Sequence, residues 1–264
     1  MKIIESFICG KKNIPELCED GLFLSDGLIA VIDGVTAKGR RKWNGKSSGC
    51  YAKDKIMECL SEADITWPAM ELLSRLNKAI CPEEKMLSEE EYPRAAIILY
   101  NDYYKEVWCY GDCQCMVDGV VYHHDKEIDK MNAELRAFAL EHALLKGSDI
   151  ESLIEQDIGR QMIKQTLLMQ FDFENRQGSF GYPILNGDCL EPVLLKKYPV
   201  KQGTEIVLAS DGYPVLCNTL EESERIRKDL QRKDPLCFRE NRETKGVQQG
   251  NVSFDDRTYC RFVV

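Results

Sequence analysis

The chain has 264 residues, 44% of them hydrophobic and 30% charged, an ordinary balance for a globular protein that buries a sizeable core. A net charge of -9 argues against a nucleic-acid surface, because phosphate backbones are gripped by accumulated lysine and arginine. No apolar run reaches about 18 residues, and the opening MKIIESFICGKKN is too charged, with too short an apolar part, for a signal peptide. A cytoplasmic protein without membrane contact is expected. No stretch has linker composition, so residues 1–264 are expected to form one domain.

The first apolar stretches, Ile3 to Cys9 and Leu22 to Ile32, read as two strands joined by a polar loop from Gly10 to Gly21. The second ends abruptly at Asp33-Gly34 and feeds a basic loop, Lys38 to Lys46. Cys50, Ile56, Met57 and Leu60 are spaced for an amphipathic helix over 47–61, with Ser47 or Ser48 as its cap. A second helix is predicted from Trp67 to Ile80, stopped by Pro82. Ala95 to Tyr100 and Glu106 to Tyr110 form a hairpin, continued by a strand at Cys115 to Val117 and a turn at Asp118-Gly119.

Ile128, Met131, Leu135, Phe138, His142 and Leu145 recur at steps of three and four, which predicts a helix over 127–146 with this stripe, including His142, facing the core. Gly147 ends it, and Ser148 starts a second long helix with Ile150, Ile154, Ile158 and Met162 on one face. Strands return at Pro192 to Lys196 and Thr204 to Ser210, the latter stopping at Asp211-Gly212. A charged surface helix over 220–232, a polar mobile loop over 233–252 and a closing strand from Thr258 to Val264 complete the chain. Strands, then helices, then strands predict a layered α+β domain with antiparallel sheets.

The twelve cysteines, scattered from Cys9 to Cys260, are read as reduced and mostly buried. Cys109, Cys113 and Cys115 with His123 and His124 lack zinc-site spacing, and a strand would put Cys113 and Cys115 on one face.

Three places share one pattern, an aspartate in a turn at the tip of an apolar strand: IAVIDG at 29–34, IVLASDG at 206–212, and SFDDRTYCRF at 253–262, where the aspartates precede the strand. Hard divalent cations take carboxylate and carbonyl oxygens, and strand tips can bring such groups to one point. Asp-Gly is equally a common turn dipeptide, as at Asp26-Gly27 and Asp118-Gly119, so either reading is open for each tip alone.

Taken in order, Glu19-Asp20, Asp33-Gly34, Gly111-Asp112, Ser210-Asp211-Gly212 and Asp255-Asp256-Arg257-Thr258 resemble the motif series of the metal-dependent protein phosphatases of type 2C, over about residues 3–264. The resemblance implies a four-layer α-β-β-α sandwich of two antiparallel sheets flanked by helices, with two Mn²⁺ or Mg²⁺ ions in a cleft at one end. It implies that Asp33 bridges the ions, that the Gly34 carbonyl binds one, and that Asp211 and Asp255 complete the second site. Asp20 would hold water in the outer shell, and Asp112 with Asp211 a third ion. The implied reaction is hydrolysis of phosphoserine or phosphothreonine in proteins by in-line attack of a metal-bridging water. No CxxxxxR or GxxxxGK[ST] loop is present, which favours such water over thiol chemistry or nucleotide binding.

The sequence departs from the family in three places. The arginine that commonly precedes the first motif aspartate has no counterpart at Ile14-Pro15-Glu16, leaving Lys38, Arg40 and Arg41, or Lys11 and Lys12, to grip phosphate. Val35 stands where many eukaryotic members have histidine, and Cys113 replaces the usual serine. The missing arginine motivates an alternative, a catalytically weak or inactive phosphatase-like binding or regulatory protein. Hydrolysis of a small phosphorylated metabolite is a third option.

Overall fold

The computed structural model describes residues 1–36, 38–82 and 88–264. Its strands are β1 (Lys2–Cys9), β2 (Asp20–Leu24), β3 (Leu28–Gly34), β4 (Ala95–Asn101), β5 (Glu106–Tyr110), β6 (Gln114–Val117), β7 (Val120–Tyr122), β8 (Lys196–Pro199), β9 (Glu205–Ala209) and β10 (Arg257–Val263). The α-helices are α1 (Ser48–Ser61), α2 (Ala69–Ile80), α3 (Glu127–Leu145), α4 (Ile150–Glu155), α5 (Ile158–Met162), α6 (Lys164–Met169) and α7 (Leu220–Lys233). The expected α+β sandwich is present: two five-stranded antiparallel sheets, ordered β1-β10-β9-β6-β7 and β2-β3-β4-β5-β8, flanked by helices.

β3 explains why its sequence lacks polar alternation. Ile29 and Val31 face the other sheet and meet a layer that includes Leu208, Cys260 and Phe262. Leu28, Ala30 and Ile32 face the opposite way and pack with Ile56 of α1 and Leu72 and Leu76 of α2. A strand covered on both faces reads as one continuous apolar run. Helix α1 begins where Ser47 accepts a hydrogen bond from the Cys50 amide, the cap the sequence offered. All twelve cysteines are free thiols, seven of them buried. Cys109, Cys113 and Cys115 lie in the apolar layer between the sheets.

Several expectations are corrected. Leu22 to Ile32 is a hairpin, not one strand: the Ser25 hydroxyl accepts from the Leu28 amide and closes a turn through Asp26-Gly27. Of the apolar stripe on α3 only Ile128 is buried as expected; Leu135 is half-buried, and Met131, Phe138, His142 and Leu145 are exposed. The buried face carries Asn132, Arg136, Ala137 and Leu140 instead. Arg136 dictates this rotation, because its guanidinium makes bonds to Asp157 and to the carbonyls of Leu236, Cys237 and Glu243 that only an inward position permits. The next helical stretch is three short helices, α4 to α6; Asp157 breaks it by capping α5 through the Arg160 amide. Pro192 to Leu194 form a 3-10 turn, and the strand starts at Lys196. The loop after α7 is fastened rather than loose: Asp234 accepts from the amides of Phe238, Arg239 and Glu240.

Candidate metal centre

The antiparallel register gathers the acidic tips at one end of the sandwich. Asp20 opens β2 directly across from Asp33 near the end of β3. Asp112 lies where the chain leaves β5 in one sheet for β6 in the other, and Asp211 follows β9. Asp255 precedes β10, the partner of β9. The glycines beside the aspartates permit close backbone approach. A Cβ on Gly34 would lie 2.4 Å from the Gly49 carbonyl oxygen at the start of α1, and one on Gly212 would lie 2.0 Å from the Asp256 carbonyl oxygen. Neither contact tolerates a side chain, so the Asp-Gly pairs here are demanded by packing as well as by turning.

Asp33, Asp112 and Asp211 each offer a carboxylate oxygen, all within 4.8 Å of one another. Burial pushes the Asp33 and Asp211 carboxyls well above the usual carboxylate range, and the neighbouring carboxylates, which include Asp112 and Asp255 for both, add to the rise. Asp211 Oδ1 is shielded from water and has no hydrogen-bond partner. Three converging carboxyl groups, one of them with an unpartnered buried oxygen, are a set that a hard divalent cation would satisfy. Among the described residues this is the one such convergence of metal-ligand side chains.

Asp20 lies beside Asp33 on the neighbouring strand. It is buried, and its Oδ2 accepts from Ser210 Oγ at 2.6 Å and Thr258 Oγ1 at 2.9 Å. Burial raises its pKa. Asp255 is held differently again, by ion pairs with Lys11 at 3.4 Å and with Lys245. Burial alone would raise this carboxyl, yet Lys245 and Lys11 more than offset it and hold Asp255 down at about 2. Glu19 ties the floor together, receiving Thr36 Oγ1 at 2.6 Å, Ser47 Oγ at 2.7 Å and Lys11 Nζ at 3.0 Å. Asp256 accepts from the amides of Lys11 and Glu19.

Cations surround these acids. Lys126 pairs with Asp112 at 2.6 Å. Of the three basic residues expected to bind phosphate, Lys38 lies within electrostatic reach of Lys126, Arg160 and Lys245, whereas Arg40 is exposed and Arg41 sits with its guanidinium 4.7 Å from the centre of the Trp43 ring. Burial, reinforced by Arg160 and Lys245, pushes the Lys38 ammonium down to about 7. Lys126, Arg160 and Lys245 were not foreseen. Nothing in their local sequence marks them, since their place depends on where α3, α5 and the 243–247 segment dock.

No protein-family model matches the sequence, and no curated protein matches it. Solved structures do match over the whole chain. One is the X-ray structure of the photosystem II phosphatase PBCP, with a TM-score of 0.52 and 13% identity over 98% of this chain and 97% of that one. Another is the catalytic domain of the serine/threonine protein phosphatase PstP in complex with two manganese ions, with a TM-score of 0.50 and 15% identity over the full length of both. The chain has the type 2C phosphatase-like fold.

Proposed function

We propose that this single domain, residues 1–264, is a divalent-cation-dependent phosphatase acting on phosphoserine or phosphothreonine in proteins, with Mn²⁺ or Mg²⁺ as cofactor. The observation that carries the reading is the convergence of the Asp33, Asp112 and Asp211 carboxyl groups, with one buried oxygen of Asp211 unpartnered, on a fold shared with phosphatases. These three side chains, with the Gly34 carbonyl, are the residues that would hold a cation. When bound, such a cation supplies Lewis-acid charge and lowers the pKa of water, so that hydrolysis needs no covalent enzyme intermediate.

The chain's own groups do the rest. Asp20, fixed by Ser210 and Thr258 directly across from Asp33, would belong to the outer shell of such a cation. Lys38, Lys126, Arg160 and Lys245 supply the positive charge that draws in and orients a phosphoryl group, in the role of the missing arginine. Lys38, with its pKa near neutrality, can hold or yield a proton at Nζ. Twelve unpaired thiols suit a reducing compartment such as the cytoplasm. Among the described residues no helix is long and apolar enough to cross a membrane.

The test is hydrolysis of an aryl phosphate with Mn²⁺ or Mg²⁺ and again with chelator, in the wild type and in Asp211→Asn. Turnover that needs the metal and vanishes in the variant is expected. Equal activity with chelator refutes the proposal, and metal binding without turnover identifies a phosphatase-like binding protein instead.

A further inference from the structure

Asp255 and the three-carboxylate cluster have different ion-pair partners, Lys11 and Lys245 for Asp255 and Lys126 for Asp112. Both Asp255 oxygens face an ammonium, Oδ1 that of Lys11 and Oδ2 that of Lys245. Neither lysine is a loose surface group. The Lys11 amide donates to Asp256 Oδ1 at 2.6 Å, and its carbonyl accepts from the Val252 amide at 2.8 Å. Lys245 lies in a segment pinned on both sides. Arg136 and Arg160 donate to the carbonyls of Glu243 and Thr244 at 3.0 and 2.8 Å, and the Val247 amide donates to the Pro235 carbonyl at 2.9 Å. Gly246 lies so close to Leu236 that a Cβ would stand 2.7 Å from its Cα. The lysine is thus delivered to Asp255 by the docking of the whole 243–247 segment on α3 and α5.

The charge count points the same way. Once ionised, Asp33, Asp112 and Asp211 bring three negative charges, and Lys126, paired with Asp112, cancels one, which leaves two for a single divalent ion. Asp255 brings one, already faced by two ammoniums, of which Lys11 is shared with Glu19 and Asp256. A second divalent ion at Asp255 would have to lie beside both or expel one.

We propose that Lys245 takes the place of a second metal cation: the centre loads one divalent ion, at Asp33, Asp112 and Asp211, and the ammonium docked on Asp255 supplies the other positive charge to a bound phosphoryl group. The proposal rests on the metal-site reading of the cluster. Ion counting by manganese EPR on the full chain, backed by titration calorimetry, separates the two. One Mn²⁺ per chain is expected in the wild type and in Asp255→Asn. Lys245→Met should gain a second ion, and the Lys245→Met/Asp255→Asn double variant should lose it again. That double variant, with one ion and no lysine, should bind inorganic phosphate about tenfold more weakly than the Mn²⁺-loaded wild type.

Two ions in the wild type, one of them lost in Asp255→Asn, overturns the proposal, as does unchanged phosphate affinity in the double variant. No bound Mn²⁺ overturns the metal-site reading itself. Should removal of Lys245 unfold the chain, the wild type and Asp255→Asn still decide the stoichiometry.

Discussion

Replacing Asp211 by asparagine should stabilise the metal-free protein while removing its response to metal. The oxygens of Asp33, Asp112 and Asp211 lie within 4.8 Å of one another. Two unit charges at that separation repel by about 3 kcal/mol at an effective dielectric constant of about 20. Asparagine keeps the shape and removes Asp211 from two such pairs, but it also gives up the attraction of Lys245. A net gain of about 2 kcal/mol is expected when the cluster is ionised, a rise in Tm of roughly 4–8 °C for a chain of this size. The gain depends on pH with a definite sign. Asp33 and Asp211 have folded pKa values above the ordinary carboxylate range, so over the intervening window the folded chain holds protons that the unfolded chain has released. Their contribution to wild-type stability therefore falls as pH rises through that window, and the advantage of the variant grows with it. Differential scanning calorimetry in chelator at mildly acidic and mildly alkaline pH, repeated with Mn²⁺, measures all of this. A variant less stable than the wild type at alkaline pH without metal, or one that Mn²⁺ stabilises as much, refutes the electrostatic reasoning.

Three further outcomes follow from the same geometry. Arg136→Met removes a buried guanidinium from Asp157 and three carbonyls and should cost about 3 kcal/mol in urea unfolding. Gly212→Ala drives a Cβ into the Asp256 carbonyl, which should cost about 2 kcal/mol and weaken Mn²⁺ binding as Asp211 shifts. The Lys38 ammonium, pushed down to about 7, is charged below that pH and neutral above it, so KM for a phosphopeptide should rise as pH passes through about 7. In Lys38→Met that component of the KM profile should flatten; an identical profile would remove Lys38 from phosphate capture.

The acidic tips were legible because an aspartate at a strand end beside a glycine has local causes, a turn and a close backbone approach, and antiparallel pairing then brings such tips to one end of the sandwich. Helix α1 was legible for the same reason, since Ser47 caps it from the adjacent position. The face of α3 was not. Met131, Phe138 and Leu145 form the stronger apolar stripe, yet the bonds of Arg136 and Asn132 with residues about thirty to a hundred positions away turn the helix over. The lysines of the centre escaped for a related reason. Lys126 and Lys245 have no motif around them, and Lys245 reaches Asp255 only through contacts with α3 and α5. Asp26-Gly27 was legible as a turn, but the break between β2 and β3 was not, because three residues, Ser25-Asp26-Gly27, suffice for it inside an otherwise apolar run.

The central claim, phosphomonoester hydrolysis that depends on a cation held by the strand-tip aspartates, is tested most directly with a phosphoserine peptide and phosphate release followed in time. Release is expected with Mn²⁺, should stop on addition of chelator, should resume on restoring Mn²⁺, and should be absent throughout in Asp33→Asn. Release that persists in chelator, or that survives Asp33→Asn, would contradict the account.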